Sequence, residues 1–394
     1  MSETPPRRLQ VLLRRDPGAP LVAGLPCAVR AAFRAGKELA PERIVIAGAD
    51  ESFLRKWAVQ LHSTSAPVRT GLDAALPLLA VDADAFPDEN SLTEFLAAAE
   101  AAPGDSIRRL DGRTVCAFVR EASRLGAGKD SPSVVSARAL ASPGAEASAG
   151  AFLDALTPEA TRASARILYS RLSKDNDGYI ARLDRRLSLA ITRLLLPFPV
   201  SPNMVTSASL VLGLIGAWWL AAPSASIQFR GALTLWFCCL LDGTDGEIAR
   251  LKHHITPWGG DFDVLADHIA HLATFIALPI GVARLHPGGN WWAPGVLLVT
   301  GFLASGFSVW WLVLRVPEHE RGPLSLTVER IASRDYIYLI LALTAIGRLD
   351  WFVWAAAAGA HVFWAWLWWM SRNALNPSPN PRGPTPPPAE IGPS

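Results

Sequence analysis

Residues 241–267 read LDGTDGEIARLKHHITPWGGDFDVLAD, and every other part of the chain takes its meaning from this stretch. Asp242 and Asp245 stand at i,i+3, and Asp263 and Asp267 at i,i+4, each pair beside a long apolar run. On helices, that spacing puts both carboxylates of a pair on one face. A carboxylate within a membrane segment is costly and marks a functional site by default. Two facing pairs offer hard oxygen ligands of the kind that hold Mg²⁺, Mn²⁺ or Ca²⁺. Gly246 and Ala249 remove side-chain bulk beside the first pair, so a ligand can approach the backbone there. Aspartates that merely pair inside a helical bundle would call for intramembrane cations, and the first pair has only Arg250 nearby.

Composition sets the surroundings of that stretch. A chain of 394 residues has room for two or three domains. Half of its residues are hydrophobic, and many of its 15 Trp lie among the apolar runs of the second half. This is the pattern of a polytopic membrane protein with interfacial aromatics. A net charge of +2 provides no field that would attract nucleic acid. Cys27, Cys116, Cys238 and Cys239 have neither metal-ligand nor disulfide spacing and read as reduced packing residues. The amino terminus, MSETPPRRLQ, has no apolar signal core, so the first half is expected in the cytosol.

Six apolar runs, at about 204–223, 229–250, 262–284, 292–315, 334–348 and 351–371, each come near the roughly 20 residues needed to cross a bilayer. The loop between the second and third holds Arg250, Lys252, His253 and His254. The connection from fourth to fifth holds Arg315, Arg321, Arg330 and Arg334. With six spans these cations share one side, which the positive-inside bias makes the cytoplasmic face of the inner membrane, together with the aspartates and both termini. His253, His254, His268 and His271 read as interfacial or packing residues rather than ligands.

The first half alternates strands and helices. Strands are expected at Leu9–Leu13, Arg43–Ala47, Pro77–Val81 and Thr114–Val119, and helices at Ala28–Ala40, near Glu51–Leu61, and at Ser91–Ala99. Such alternation implies a layered α/β domain over 1–125. Residues 126–173 read as a Gly/Ser/Ala/Pro-rich linker and a connecting helix. Residues 174–200 place Ile180, Leu183, Leu187, Ile191, Leu194 and Leu195 at helical spacing among arginines, as a basic amphipathic juxtamembrane helix does. The membrane domain occupies 201–373, and 374–394 form a Pro-rich tail that cannot build a packed element.

The run Asp242-Gly243-x-Asp245-Gly246-x-x-Ala249-Arg250, then eight residues, then Gly259-x-x-x-Asp263-x-x-x-Asp267, resembles the signature of the CDP-alcohol phosphotransferases (CDP-alcohol phosphatidyltransferases). Ser201-Pro202-Asn203 with Thr206 resembles that family's Pro-Asn-x-x-Thr opening. The resemblance implies a metal-dependent membrane enzyme that moves a substituted phosphate from a CDP-alcohol to an acceptor hydroxyl, releasing CMP. It makes Asp242, Asp245, Asp263 and Asp267 ligands of a two-metal Mg²⁺ or Mn²⁺ site, with Asp267 also the general base. It places Gly246, Ala249, Arg250, Gly259, Asn203 and Thr206 around the nucleotide and its phosphates, and it implies a homodimer. Arg334, with Arg321 or Arg330, is a candidate for an acceptor phosphate, and equally a positive-inside anchor.

GLPCAVRAAFRAGKELAPERIVIAG from Gly24 and LLAVDADAF from Leu78 resemble a sugar-phosphate nucleotidyltransferase. That family opens on a Gly-rich loop with an Arg and then a Lys-Pro pair; here the region is RRDPGAP, with neither element. Backbone N–H groups wrap phosphate only in such a turn, so the domain reads as a degenerate scaffold. Asp82 and Asp84 are then either relics of a metal site or solvated strand ends. The expected architecture is a nucleotidyltransferase-like (Rossmann-like) α/β domain followed by an all-α bundle of six transmembrane helices. The fusion resembles the bifunctional inositol-1-phosphate cytidylyltransferase / di-myo-inositol phosphate phosphate synthases. That resemblance implies CDP-inositol as donor and a phosphorylated polyol as acceptor. If the amino domain is inactive, the CDP-alcohol comes from elsewhere, CDP-diacylglycerol becomes a candidate donor, and the product would then be a phospholipid. A bifunctional enzyme with a live cytidylyltransferase, or a non-catalytic membrane scaffold, are the alternatives.

Overall fold

The computed structural model describes residues 7–16, 21–64, 66–82, 84–147, 149–172, 179–254, 256–315 and 336–375. They divide into two compact units, one within 1–208 and 240–265, the other within 209–239 and 266–394.

The first unit is built on a mixed sheet. Strands β1 (Arg7–Arg14), β2 (Pro41–Ala47), β3 (Val68–Arg69) and β4 (Leu78–Val81) are followed by β5 (Ala85–Pro87), β6 (Ser106–Leu110), β7 (Arg113–Val119), β8 (Ala145–Glu146) and β9 (Phe152–Asp154). The main sheet runs β3-β2-β1-β4-β7-β6-β8, and β5 pairs with β9 separately. β1 lies parallel between β2 and β4, with Leu12 beside both Val45 and Ala80. Side chains of a strand alternate between faces. Leu9, Val11 and Leu13 therefore enter one core with Ile44, Ile46, Leu79 and Val81. Leu12 enters another with Val45, Ala47, Leu78 and Ala80. A strand buried on both faces reads as a continuous apolar run, which is why residues 44–47 and Leu78–Val81 stand out in the sequence, with residues 9–13 of β1 interrupted only by Gln10.

Helices α1 (Cys27–Leu39) and α4 (Ser91–Ala101) cover the first face, and α5 (Pro132–Ala141) covers the second through Val135 and Ala139. The helix expected near Glu51–Leu61 is two short helices, α2 (Glu51–Lys56) and α3 (Ala58–His62), because Trp57 leaves helical geometry at φ −109°. The expected linker also differs. Residues 126–154 contribute α5, β8 and β9 to the sheet domain. Their small side chains carried too little hydrophobic contrast to reveal a helix whose packing needs only Val135, Ser136 and Ala139 buried. Two further helices complete this part, α6 (Pro158–Ser170) and α7 (Tyr179–Leu195).

Among the described residues, the remaining helices are α8 (Pro202–Leu220), α9 (Ala225–Leu251), α10 (Pro257–Leu285), α11 (Trp292–Val309, continued by a π turn over Trp310–Leu314), and two more at Tyr336–Ala345 and Leu349–Leu375. They coincide with the six apolar runs. Among the described residues, three stretches, Pro202–Leu220, Trp258–Leu285 and Trp292–Leu312, are long and apolar enough to cross a membrane. Tyr336–Ala345 is short, α9 carries Arg230 and the acidic signature, and Leu349–Leu375 carries Asp350, Arg372 and several tryptophans. In the second unit α8 and α9 cross closely: a Cβ on Gly231 would lie 2.7 Å from the Gly216 carbonyl oxygen and 2.8 Å from the Leu220 nitrogen. Small residues let helices approach this way where lipid supplies no hydrophobic drive between them.

Candidate functional site

Asp242 and Asp245 lie on α9, and Asp263 lies on the first turns of α10. The helical spacing sets the two α9 carboxylates on one face, and the fold brings Asp263 to them. Oxygens of Asp242, Asp245 and Asp263 all fall within 4.8 Å of one another. Asp245 is buried, and the Thr206 hydroxyl donates to its Oδ2 at 2.5 Å. Thr206 is itself buried on α8. This bond fixes which way the carboxylate faces. A set of three close carboxylates, with no thiol or imidazole among them, suits a hard divalent cation, so the residues present fit Mg²⁺ or Mn²⁺.

The glycines of the stretch differ in what they do. Among the described residues, the atoms a Cβ on Gly246 would meet are those of the Arg250 guanidinium, at 3.7 Å. Protein packing therefore does not demand glycine there, and the space beside the carboxylates stays open. A Cβ on Gly259 would lie 2.6 Å from Thr256 Oγ1 and 3.2 Å from Asn203 Oδ1. Glycine at 259 is what allows α10 to start against Asn203. Ala249 follows Gly246 on α9 and is half-buried, and Arg250 is exposed at the end of that helix. Asp267 comes one turn after Asp263 along α10 and belongs to the second unit, where His271 Nε2 lies 3.6 Å from its Oδ1. His271 packs its ring among Phe275, Phe302 and Tyr336, and His268 contacts Phe302. Arg321, Arg330 and Arg334 lie outside the described residues.

One carboxylate in the stretch was passed over by the sequence reading. Glu247 is fully buried and accepts from Ser188 Oγ at 2.7 Å and Thr192 Oγ1 at 2.6 Å, both on α7. Arg185 Nη1 stands 3.9 Å away. The acid thus ties α7 to α9 two residues from Asp245. The available signal was Ser188 and Thr192, an i,i+4 hydroxyl pair on a helix otherwise dominated by arginines and aliphatic residues. α7 is accordingly more than a surface helix, since Ser188 and Thr192 are buried.

A second acidic group lies in the sheet domain. Asp82, at the end of β4, is 5% exposed; Asp84 follows it, and Asp154 ends β9. The Arg113 guanidinium reaches all three, at 3.3, 3.5 and 2.6 Å, and Arg14 adds a contact to Asp82 at 3.4 Å. Asp82 is thus not a solvated strand end. The space among these three acids is thus occupied by an arginine side chain. The Asp84 carboxyl is pushed up by burial and by the charge of Asp82, with Arg113 opposing.

Residues 199–370 match the family model described as CDP-alcohol phosphatidyltransferase. The chain is 31% identical over 152 residues to a bifunctional IPC transferase and DIPP synthase of Rubrobacter xylanophilus, over 38% of this chain and 34% of that protein. It is 33% identical over 111 residues to a CDP-diacylglycerol–serine O-phosphatidyltransferase of Helicobacter pylori, over 28% of this chain and 44% of that protein. These matches span between a third and a half of the relatives' lengths. Among solved structures, phosphatidylinositol phosphate synthase of Mycobacterium tuberculosis with CDP-DAG bound aligns at 20% identity and a TM-score of 0.35, covering 47% of this chain and 94% of that one.

Proposed function

We infer the function from one premise, that residues 199–370 belong to the CDP-alcohol phosphatidyltransferase family. The protein moves a substituted phosphate from a CDP-alcohol to an acceptor hydroxyl and releases CMP. The observation that carries this reading is the trio Asp242, Asp245 and Asp263, whose oxygens lie within 4.8 Å of one another inside the matched region.

Asp242, Asp245, Asp263 and Asp267 would hold the divalent cations, which when bound neutralise charge developing on the pyrophosphate oxygens. Thr206 keeps the Asp245 carboxylate in one orientation. The open side of Gly246 and the small side chain of Ala249 leave room for the nucleotide, and Arg250 meets its phosphates. Asn203, set beside Gly259, borders the same space. Asp267 takes the proton of the acceptor hydroxyl. As that oxygen bonds to the distal phosphorus, the bond from that phosphorus to the bridging oxygen breaks and CMP departs with the electron pair. A general base contributes about 10²–10⁴-fold, so Asp267→Asn should lower CMP release by that order while Mn²⁺ binding by Asp242, Asp245 and Asp263 persists.

The sheet domain is read as a scaffold rather than a live cytidylyltransferase, because Arg113 sits among Asp82, Asp84 and Asp154. The donor alcohol is then made elsewhere, and CDP-diacylglycerol and CDP-inositol are both candidates, with a phosphorylated polyol as acceptor. A six-span arrangement in the inner membrane, with the aspartates on the cytoplasmic side, and a homodimer complete the proposal; Arg321 and Arg334 remain the acceptor-phosphate candidates. A purely structural membrane protein would have no use for the clustered carboxylates, which are costly in such a place. The test is CMP release by detergent-purified protein with Mg²⁺ or Mn²⁺ and inositol phosphate, run with each donor in parallel. Release with CDP-diacylglycerol alone makes it a phospholipid synthase, and release with CDP-inositol a polyol-phosphate synthase. No metal-dependent CMP release with either donor would overturn this donor assignment.

A further inference from the structure

The chain between the aspartate pairs is held by the sheet domain, at a residue no signature includes. α9 ends in a Schellman turn: the His254 N–H reaches the Ala249 carbonyl at 3.0 Å, and His253 between them is left-handed at φ +47°. That position favours glycine, because a side chain there is strained. A strained backbone persists where its surroundings over-determine it, and here they do. The His253 ring stacks on Phe33 of α1, with centroids 4.0 Å apart and planes 13° from parallel. Its Nε2 lies 3.5 Å from Arg30 Nη1. Its carbonyl accepts from Ser63 Oγ at 3.3 Å, just past α3.

The anchor behind this contact is itself fixed. Arg30 is 2% exposed, and its guanidinium donates to the Val22 and Ala23 carbonyls. The turn it braces meets the next residue of the loop: a Cβ on Gly24 would lie 3.2 Å from Lys252 Cε. Lys252 Nζ in turn donates to the Phe198 and Val200 carbonyls just before α8. Ala23, Leu196 and Leu251 form a small apolar cluster at the same place. The sheet domain therefore grips the end of the helix that carries Asp242 and Asp245, at the turn that leads to Asp263.

We propose that Phe33 and Arg30 are positioning residues: by clamping His253 in its strained turn, the amino-terminal domain sets the distance between Asp263 and the Asp242–Asp245 pair. This gives the sheet domain a task in phosphotransfer that requires no chemistry of its own. The inference rests on the reading of those three aspartates as metal ligands.

The experiment is Mn²⁺ titration of the full-length protein in detergent, followed by electron paramagnetic resonance, with CMP release measured at varied Mn²⁺. Phe33 is half-buried on α1, so Phe33→Ala leaves the sheet core filled. One aromatic contact corresponds to roughly 3- to 10-fold in affinity, and Phe33→Ala should weaken Mn²⁺ by that factor. The thermal unfolding midpoint should stay at the wild-type value, and Phe33→Tyr should restore tight binding. His253→Gly, which relaxes the turn but removes the ring, should weaken Mn²⁺ equally, and the double variant should go no further. Wild-type affinity in both Phe33→Ala and His253→Gly would overturn the clamp. A loss that tracks a fallen unfolding midpoint, or that Phe33→Tyr fails to rescue, would equally overturn it and leave a merely structural contact. Failure of the wild-type protein itself to bind Mn²⁺, or binding unchanged in Asp263→Asn, would overturn the metal reading instead.

Discussion

Glu247 is the residue whose removal separates architecture from chemistry. Its carboxylate holds the Ser188 and Thr192 hydroxyls in a buried place, yet it does not belong to the Asp242, Asp245 and Asp263 trio. Glu247→Ala strands two buried donors, a cost of about 1–3 kcal/mol, which should appear as a lower unfolding midpoint in detergent. Asp245→Asn should do the opposite, abolishing Mn²⁺-dependent CMP release while leaving the midpoint nearly in place, because the Thr206 hydroxyl can still donate to the side-chain oxygen. The two variants together distinguish a residue that builds the site from one that acts in it.

At the scale of elements, two close approaches carry the argument. The α8–α9 crossing depends on Gly231, where a Cβ would meet backbone atoms of α8 that cannot move aside. Gly231→Ala should cost about 1–3 kcal/mol, as overpacking does, read from thermal unfolding. The α9–α10 turn depends on a neutral His253. Burial, followed by the charges of Arg30, Arg34 and Lys37, pushes its imidazole down to about 3, from an ordinary 6.5. Lys252, beside it in the turn, has its own ammonium pushed down by burial. The folded value lies below the unfolded one, so the unfolded chain binds the extra proton as pH falls. The contribution is complete above about pH 6.5 and is lost progressively towards pH 3, with a slope of at most about 1.4 kcal/mol per pH unit. Unfolding midpoints measured between pH 7 and 5 should fall in the wild type, and the fall should be smaller in His253→Gly.

At the scale of the whole molecule, a sheet domain shares one chain with a helical region that matches the CDP-alcohol phosphatidyltransferase family model, and the proposal assigns chemistry to the helical region alone. The Arg113 guanidinium among Asp82, Asp84 and Asp154 supplies the positive charge that a divalent cation would bring. Full-length protein supplied with CTP, inositol phosphate and Mg²⁺ should therefore release no pyrophosphate. Release of pyrophosphate that Asp82→Asn abolishes would restore the bifunctional reading. The exposed aromatics of the helical region, Trp218 at 79% and Trp292 at 83% among them, fit a surface that meets lipid rather than water.

The local patterns in this chain were legible because their causes are local. Residues 44–47 of β2 and Leu78–Val81 of β4 are unbroken apolar runs, residues 9–13 of β1 are broken only by Gln10, and the carboxylate pairs stand at helical spacing, so the alternation of the first half and the acidic faces could be read directly. The resemblance to a known family rests on the same residues. Weak patterns were not legible: α5 is mostly Ala, Ser and Val and buries Val135, Ser136 and Ala139, and the break at Trp57 splits a helix that composition would continue. The site's partners were hidden for a different reason. Asp263 meets Asp242 and Asp245, Glu247 meets Ser188 and Thr192, Arg113 meets three distant aspartates, and Phe33 meets His253 across more than two hundred residues. No spacing rule encodes such pairs, because they exist only when packing brings separate helices and strands together. Residue chemistry, helical faces and the doubly buried strands were therefore determined by sequence. Which acids come together, which acids an arginine neutralises, and what holds the turn between them were decided by tertiary structure alone.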